Sequence, residues 1–263
     1  MKLIVWCLCV CLLFFSCKKF VFHPNEVRPD VHNVNIANVE KISQLTAKSS
    51  FKFIMIGDTQ RFYQDLDAFV DNVNGLTDIS FVVIDGDLTD FGLNREYNWI
   101  INRLQQLKNP FISIIGNHDM LANGRQIYGE MFGPENFTFT FSGSKFVCLN
   151  TNSREVNFDG SVPDMNWLTS SLASDEGAQN IFVIAHVAPF SLDFDKSIEP
   201  AYTALLSSTP KVRLSMNAHE HHYSLTQPYN DGLEYLVAAS TDQREYSLIT
   251  VNGANYQIEQ KKF

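Results

Sequence analysis

Phe111-Ile-Ser-Ile-Ile-Gly-Asn-His-Asp119 sets five largely apolar residues against a Gly and three side chains able to hold a metal or move a proton. A short apolar run stopped by Gly predicts a buried strand, here with chemistry at its carboxyl end. Four other runs follow the same rule. Phe51 to Ile56 stops at Gly57-Asp58, Phe81 to Ile84 at Asp85-Gly86-Asp87, Ile181 to Ala185 at His186, and Arg213 to Ala218 at His219. Between the first three runs the period becomes helical: Leu66, Phe69, Val70 and Val73 share one face, as do Tyr97, Ile100, Ile101, Leu104 and Leu107. Strand alternating with helix predicts an α/β fold, and open sheets of that class bind ligands outside the carboxyl ends of their strands.

The remaining segments add more β-structure than one doubly wound sheet can take. Phe137 to Phe141, a Ser142-Gly143-Ser144 turn and Lys145 to Leu149 read as a hairpin. Tyr223 to Thr226, Leu233 to Ala239, Tyr246 to Val251 and Tyr256 to Ile258 read as short strands around Asp231-Gly232 and Asn252-Gly253 turns. Further helices are expected over Asp164 to Leu172 and Ser197 to Leu206. Two facing sheets flanked by helices are therefore expected.

Among 263 residues, 45% hydrophobic and 13% aromatic content allows a substantial core, and a formal net charge of -9 without long basic runs argues against a nucleic-acid partner. Residues 1–17 carry one Lys and then an apolar run from Leu3 to Phe15, too short for a typical membrane span and suited to a signal peptide. The end at Ser16-Cys17 resembles a bacterial lipoprotein signal, with Phe14 and Phe15 where such signals usually have Leu and a small residue. The expectation is an exported protein, periplasmic or on the cell surface, held to the membrane through lipidated Cys17. Cys148 is the only thiol beyond Cys17, which excludes an intramolecular disulfide framework in a mature chain. Residues 18–50, with Pro24, Pro29 and several Asn, read as a tether with one short helix around Val39 to Leu45, so the folded domain is expected over 51–263.

The strand ends bring forward Asp58 with Gln60, Asp87, Asn117 with His118 and Asp119, His186, and His219 with His221. Four of the seven His of the chain fall at these ends, which weighs against chance. Oxygen and imidazole donors without thiolate suit Mn, Fe, Mg or Zn, and so many donors exceed the needs of one ion. The motifs Gly57-Asp58-Thr59-Gln60, Gly86-Asp87-Leu88-Thr89-Asp90, Gly116-Asn117-His118-Asp119, Ala185-His186 and Ala218-His219-Glu220-His221, in this order, resemble the calcineurin-like metallophosphoesterase superfamily. The resemblance implies a four-layer α/β/β/α sandwich of two mixed sheets flanked by helices. It also implies two divalent metal ions, one held by Asp58, Gln60, Asp87 and His221 and the other by Asp87, Asn117, His186 and His219. Gln60 stands where many members have His, and Ala218 where Gly is usual. A neutral Gln oxygen predicts a weaker first site or one suited to a harder ion.

The activity implied is hydrolysis of a phosphate mono- or diester with a metal-bridging hydroxide as nucleophile. His118 would stabilise or protonate the leaving group, with Asp119 or Asp90 as its orienting carboxylate. The rival reading is an inactive binding module that keeps the fold, and Gln60 is the residue that argues for it. The segments Leu121 to Pro134, Arg154 to Pro163 and Val187 to Pro200 rim the expected site and carry no readable motif, so the substrate is not legible.

Overall fold

Phe53, Phe81, Phe146 and Phe182 meet between two sheets, the first pair stacked at 5.0 Å and the second at 5.4 Å between ring centroids. In the computed structural model, which describes residues 26–263, they form the centre of the inter-sheet core with Met55, Val83, Ile184 and Met216. The signal-like run, Cys17 and the first part of the expected tether lie outside the described residues. Among the described residues no helix is long and apolar enough to cross a membrane.

The first sheet has the order β11-β10-β1-β2-β3, built from β1 (Ser50–Gly57), β2 (Ile79–Asp85), β3 (Phe111–Ile114), β10 (Glu245–Asn252) and β11 (Asn255–Lys262). Strands β1, β2 and β3 run parallel, and β10 pairs antiparallel with β1. The second sheet has the order β4-β5-β6-β7-β9-β8, built from β4 (Phe137–Phe141), β5 (Ser144–Cys148), β6 (Asn180–Ile184), β7 (Val212–Asn217), β8 (Ser224–Thr226) and β9 (Glu234–Val237). Its strands β5, β6, β7 and β9 are parallel, with β4 and β8 as antiparallel edges.

The near-continuous apolar runs follow from burial on both faces. In β1, Phe51, Phe53 and Met55 enter the inter-sheet core while Ile54 and Ile56 face helices. Those helices, α2 (Tyr63–Asn74), α3 (Asn94–Leu104) and α4 (Gly124–Met131), cover the outer face of the first sheet, and α5 (Met165–Ala173) and α6 (Glu199–Ser208) cover that of the second. Each of the apolar faces expected on α2 and α3 is buried. The four-layer α/β/β/α sandwich is thus the architecture of the chain.

The tether reading needs correction for residues 34–50. Helix α1 (Val34–Gln44) begins earlier than expected and packs into the fold, with Ile42 in the inter-sheet core and Val34 against the outer one. Its buried Asn35 donates Nδ2–H to the Ser113 carbonyl at 2.8 Å and accepts the Ser113 N–H at 2.9 Å. That side chain thereby does for β3 what a further strand would do, satisfying edge groups that would otherwise invite pairing with another chain. The folded unit therefore includes α1.

Candidate metal centre

Because β1, β2, β3, β6 and β7 are parallel within their sheets, the five ligand-bearing turns converge at one end of the sandwich. Two groups of donors lie close enough to hold an ion, Asp58, Asp87 and His221 in one and Asp87, His186 and His219 in the other, so Asp87 belongs to both. His186 Nε2 is 3.4 Å from Asp87 Oδ1, His221 Nε2 is 3.2 Å from Asp58 Oδ1, and His219 Nδ1 is 3.0 Å from Asn117 Oδ1. Bonds of about 2.1 Å to one octahedral ion put neighbouring donors about 3.0 Å apart, so the spacing fits a shared cation.

Two independent features say that the protein alone does not satisfy this cluster. Gln60 Oε1 is buried without a hydrogen-bond partner, and buried Asp58 Oδ1 and His186 Nε2 have only His221 and Asp87 beside them, at 3.2 and 3.4 Å and without hydrogen-bond alignment, where an orphaned polar atom costs about 1–3 kcal/mol. Asp58, Asp87, His219 and His221 also hold left-handed backbone angles, φ 51, 51, 71 and 60°. For non-glycine residues such angles cost roughly 1–2 kcal/mol each, and strain of this kind gathers at functional sites. A divalent ion bound by oxygen and imidazole would answer both.

Electrostatics point the same way. Burial opposes a charge on His186, but Asp87, Asp58 and Asp85 outweigh it and push the ring up to about 10. A proton and a metal therefore compete for the same lone pair. Contact with Asp58 raises His221, whereas burial and the neighbouring His186 lower His219. Burial opposes ionisation of Asp87, yet His186 and His118 hold its carboxyl low.

Small residues allow this approach. A Cβ on Gly116 would fall on the main-chain nitrogen and Oδ1 of Asp87, with Asp87 Cα only 2.8 Å away. Gly57 gives room to Ala218, since a Cβ there would meet Ala218 Cβ at 2.5 Å. The departure Ala218 is therefore accommodated by its neighbour.

The expected residues do not all stand as the sequence suggested. Gln60 is buried beside Asp87, but it is the amide Nε2 that faces Asp87 Oδ2, at 3.4 Å. Its oxygen reaches an ion at that position only after the amide turns over. His118 donates Nδ1–H to the Asp90 main-chain carbonyl at 2.8 Å, so a backbone oxygen orients the ring, not a carboxylate. The Asp90 carboxylate pairs with Arg61 instead.

Asp119 requires correction as a catalytic residue. It is fully buried and accepts hydrogen bonds from Gly116 N at 2.9 Å, Leu88 N at 3.1 Å, and Thr89 N and Oγ1 at 2.9 Å each. Its carboxylate joins the turn after β3 to the turn after β2, fixing Asn117 relative to Asp87. Burial and the charge of Asp87 push it up to about 7, against these donors.

Two acids escaped sequence reading. Asp85 is fully buried with both carboxyl oxygens unpartnered, burial pushing it up to about 8, and its carbonyl accepts from His186 Nδ1 at 2.8 Å. That bond aims Nε2 of His186 at Asp87. Asp193 reaches His219 from the motif-free loop after β6, with Oδ2 3.2 Å from His219 Nε2. The Asp-Gly-Asp repeat was a visible signal for Asp85; no local pattern marks Asp193.

A family model described as calcineurin-like phosphoesterase matches residues 51–223. A Xenorhabdus bovienii protein named a probable cyclic nucleotide phosphodiesterase is 35% identical over 54 residues, 20% of this chain and 22% of that protein. A Fibrobacter succinogenes protein bearing the same description is 25% identical over 137 residues, 49% of this chain and 52% of that protein. The chain thus spans about half or less of the length of these curated relatives. A dimetal phosphatase from Danio rerio has the same fold, with a TM-score of 0.59 over 81% of this chain and 99% of its own at 13% identity.

Proposed function

The chain belongs to the calcineurin-like phosphoesterase family, and from that premise we propose that it is a dinuclear metal-dependent phosphodiesterase, with cyclic nucleotides as the substrate class to test first. The observation that carries the reading is one carboxylate, Asp87, shared by two groups of donors. The names of the two curated relatives support the diester preference.

Asp58, Gln60, Asp87 and His221 would hold one ion, and Asp87, Asn117, His186 and His219 the other. Divalent ions there, Mn, Fe, Mg or Zn, would supply the positive charge that draws a phosphate and the Lewis acidity that makes water a nucleophile at neutral pH. The protein's part is to fix the donors and exclude bulk water, which the burial of Asp58, Asp87 and His186 supports. His118, its Nδ1–H committed to the Asp90 carbonyl, would act as the imidazolium, giving its Nε2 proton to the departing oxygen and remaining as the neutral ring with its proton on Nδ1.

Hydrolysis of bis-p-nitrophenyl phosphate and of 3′,5′-cyclic AMP is expected in the presence of Mn, lost on EDTA treatment and restored by Mn. An absence of turnover with each of Mn, Fe, Mg and Zn would leave the binding-module reading, for which Gln60 argues, in possession. His118→Ala is expected to keep both ions by elemental analysis while kcat falls about 10²–10⁴-fold, the usual scale of a lost acid–base group. Loss of metal in that variant contradicts the role given to His118.

A further inference from the structure

His219 lies between two oxygen acceptors. Its Nδ1 is 3.0 Å from Asn117 Oδ1, and its Nε2 is 3.2 Å from Asp193 Oδ2. A neutral imidazole has one N–H to offer, and the carboxylate is the stronger acceptor. With the proton on Nε2, the Nδ1 lone pair confronts an amide oxygen at hydrogen-bond distance with no hydrogen between them. Such an arrangement suits a cation that both atoms ligate.

Asp193 belongs to neither donor group, so its work is on the far side of the ring. It is itself held in place: Arg154 Nη1 donates to Oδ2 at 2.7 Å, and the Arg154 N–H donates to the Asp193 carbonyl at 3.2 Å. Arg154 lies in the 3-10 turn Ser153–Val156, which follows β5, whereas Asp193 follows β6. One carboxylate therefore ties two loops to a candidate ligand.

We infer that Asp193 is a positioning residue of the metal centre: it takes the Nε2–H of His219 and turns Nδ1 toward the donors Asn117, His186 and Asp87. The inference rests on the metal-dependent reading given above. His186 is oriented by the same logic, but the nitrogen it turns away from the donor cluster meets the Asp85 main-chain carbonyl, whereas that of His219 meets a carboxylate, which also makes its ring a stronger donor to metal.

The test is the affinity of the purified chain for Mn and Zn, measured by competition with a chromophoric chelator, with Co-substituted spectra as a second readout. Asp193→Asn keeps the size of the side chain and removes its charge. It is expected to weaken one of two ions about 10–100-fold, the scale seen when an outer carboxylate is lost, and to shift the Co spectrum, leaving the second ion as in the parent. Arg154→Ala loosens the loops but leaves the carboxylate on His219, and is expected to change either affinity by less than about 3-fold.

Parent-like affinities and spectrum in Asp193→Asn overturn the assignment, even if its metal-free form melts lower, because that pattern belongs to a loop anchor. An equal loss in Arg154→Ala also overturns it, since the clamp and not the carboxylate would then be responsible. If the parent chain itself takes up no ion, the metal-dependent reading fails and the assignment falls with it.

Discussion

Asp87→Asn is expected to lose at least about 10³-fold in kcat/KM on a phosphodiester, equivalent to about 4 kcal/mol of transition-state stabilisation, and to hold neither ion at parent affinity. Asp87 is the member common to both donor groups, it accepts the His118 N–H at 2.9 Å, and its Oδ1 faces His186. An Asn offers one oxygen and an NH2 group that repels a cation, so both groups are damaged by one exchange. The fold has little reason to suffer. Asp87 sits at φ 51°, a conformation that Asn tolerates better than most residues, and the shape is unchanged. Steady-state kinetics with elemental analysis would check this; near-parent turnover with two ions bound would remove Asp87 from the centre of the mechanism.

Gly116→Ala is the second large effect, and it acts through space. Gly116 is not among the left-handed positions, so Ala can adopt its backbone, but the new methyl would occupy the place of Asp87. Asp87 cannot yield freely, because its Oδ1 accepts from His118 and its carbonyl accepts from Gln60 N at 2.9 Å. Overpacking of this kind costs about 1–3 kcal/mol, at about 2–4 °C of melting temperature per kcal/mol for a chain of this size. Loss of turnover is expected along with the lower melting temperature. Gly129 provides the contrast: nothing lies within 4 Å of a Cβ there, so Gly129→Ala in helix α4 should be neutral or stabilising by up to about 1 kcal/mol. Equal melting temperatures for the two variants would refute the packing argument.

The sandwich was legible because burial on both faces leaves long apolar runs, and those runs end at the turns where charge is needed. Helices α2 and α3 were legible from faces such as Leu66, Phe69, Val70 and Val73, all buried. Helix α1 was legible only from Val39 onward, because two of its four buried positions are Asn35 and Asn38, and an amide that pairs with a strand edge has no hydrophobic signature. Helix α4 was hidden by Gly124 and Gly129, residues that read as breaks. The candidate ligands could be collected from motif order, yet the adjoining residues could not be sorted by role. Asp119 looks like a reactive acid beside His118, and only its four donors reveal a structural carboxylate. Asp193 becomes visible only when two loops distant in sequence are brought together.

The pairing of β1 with β10 joins Phe51 to Val251 across most of the chain. During vectorial synthesis, therefore, one edge of β1 has no partner until β10 has been made, and contacts so distant in sequence form slowly. The turn after β1 waits equally long: Thr241 Oγ1 donates to the Gly57 carbonyl at 3.0 Å, and the His219 N–H donates to Asp58 Oδ2 at 3.2 Å. A partly made chain thus has no finished place for an ion, and an ion taken up at these donors would follow the docking of β10 instead of guiding it.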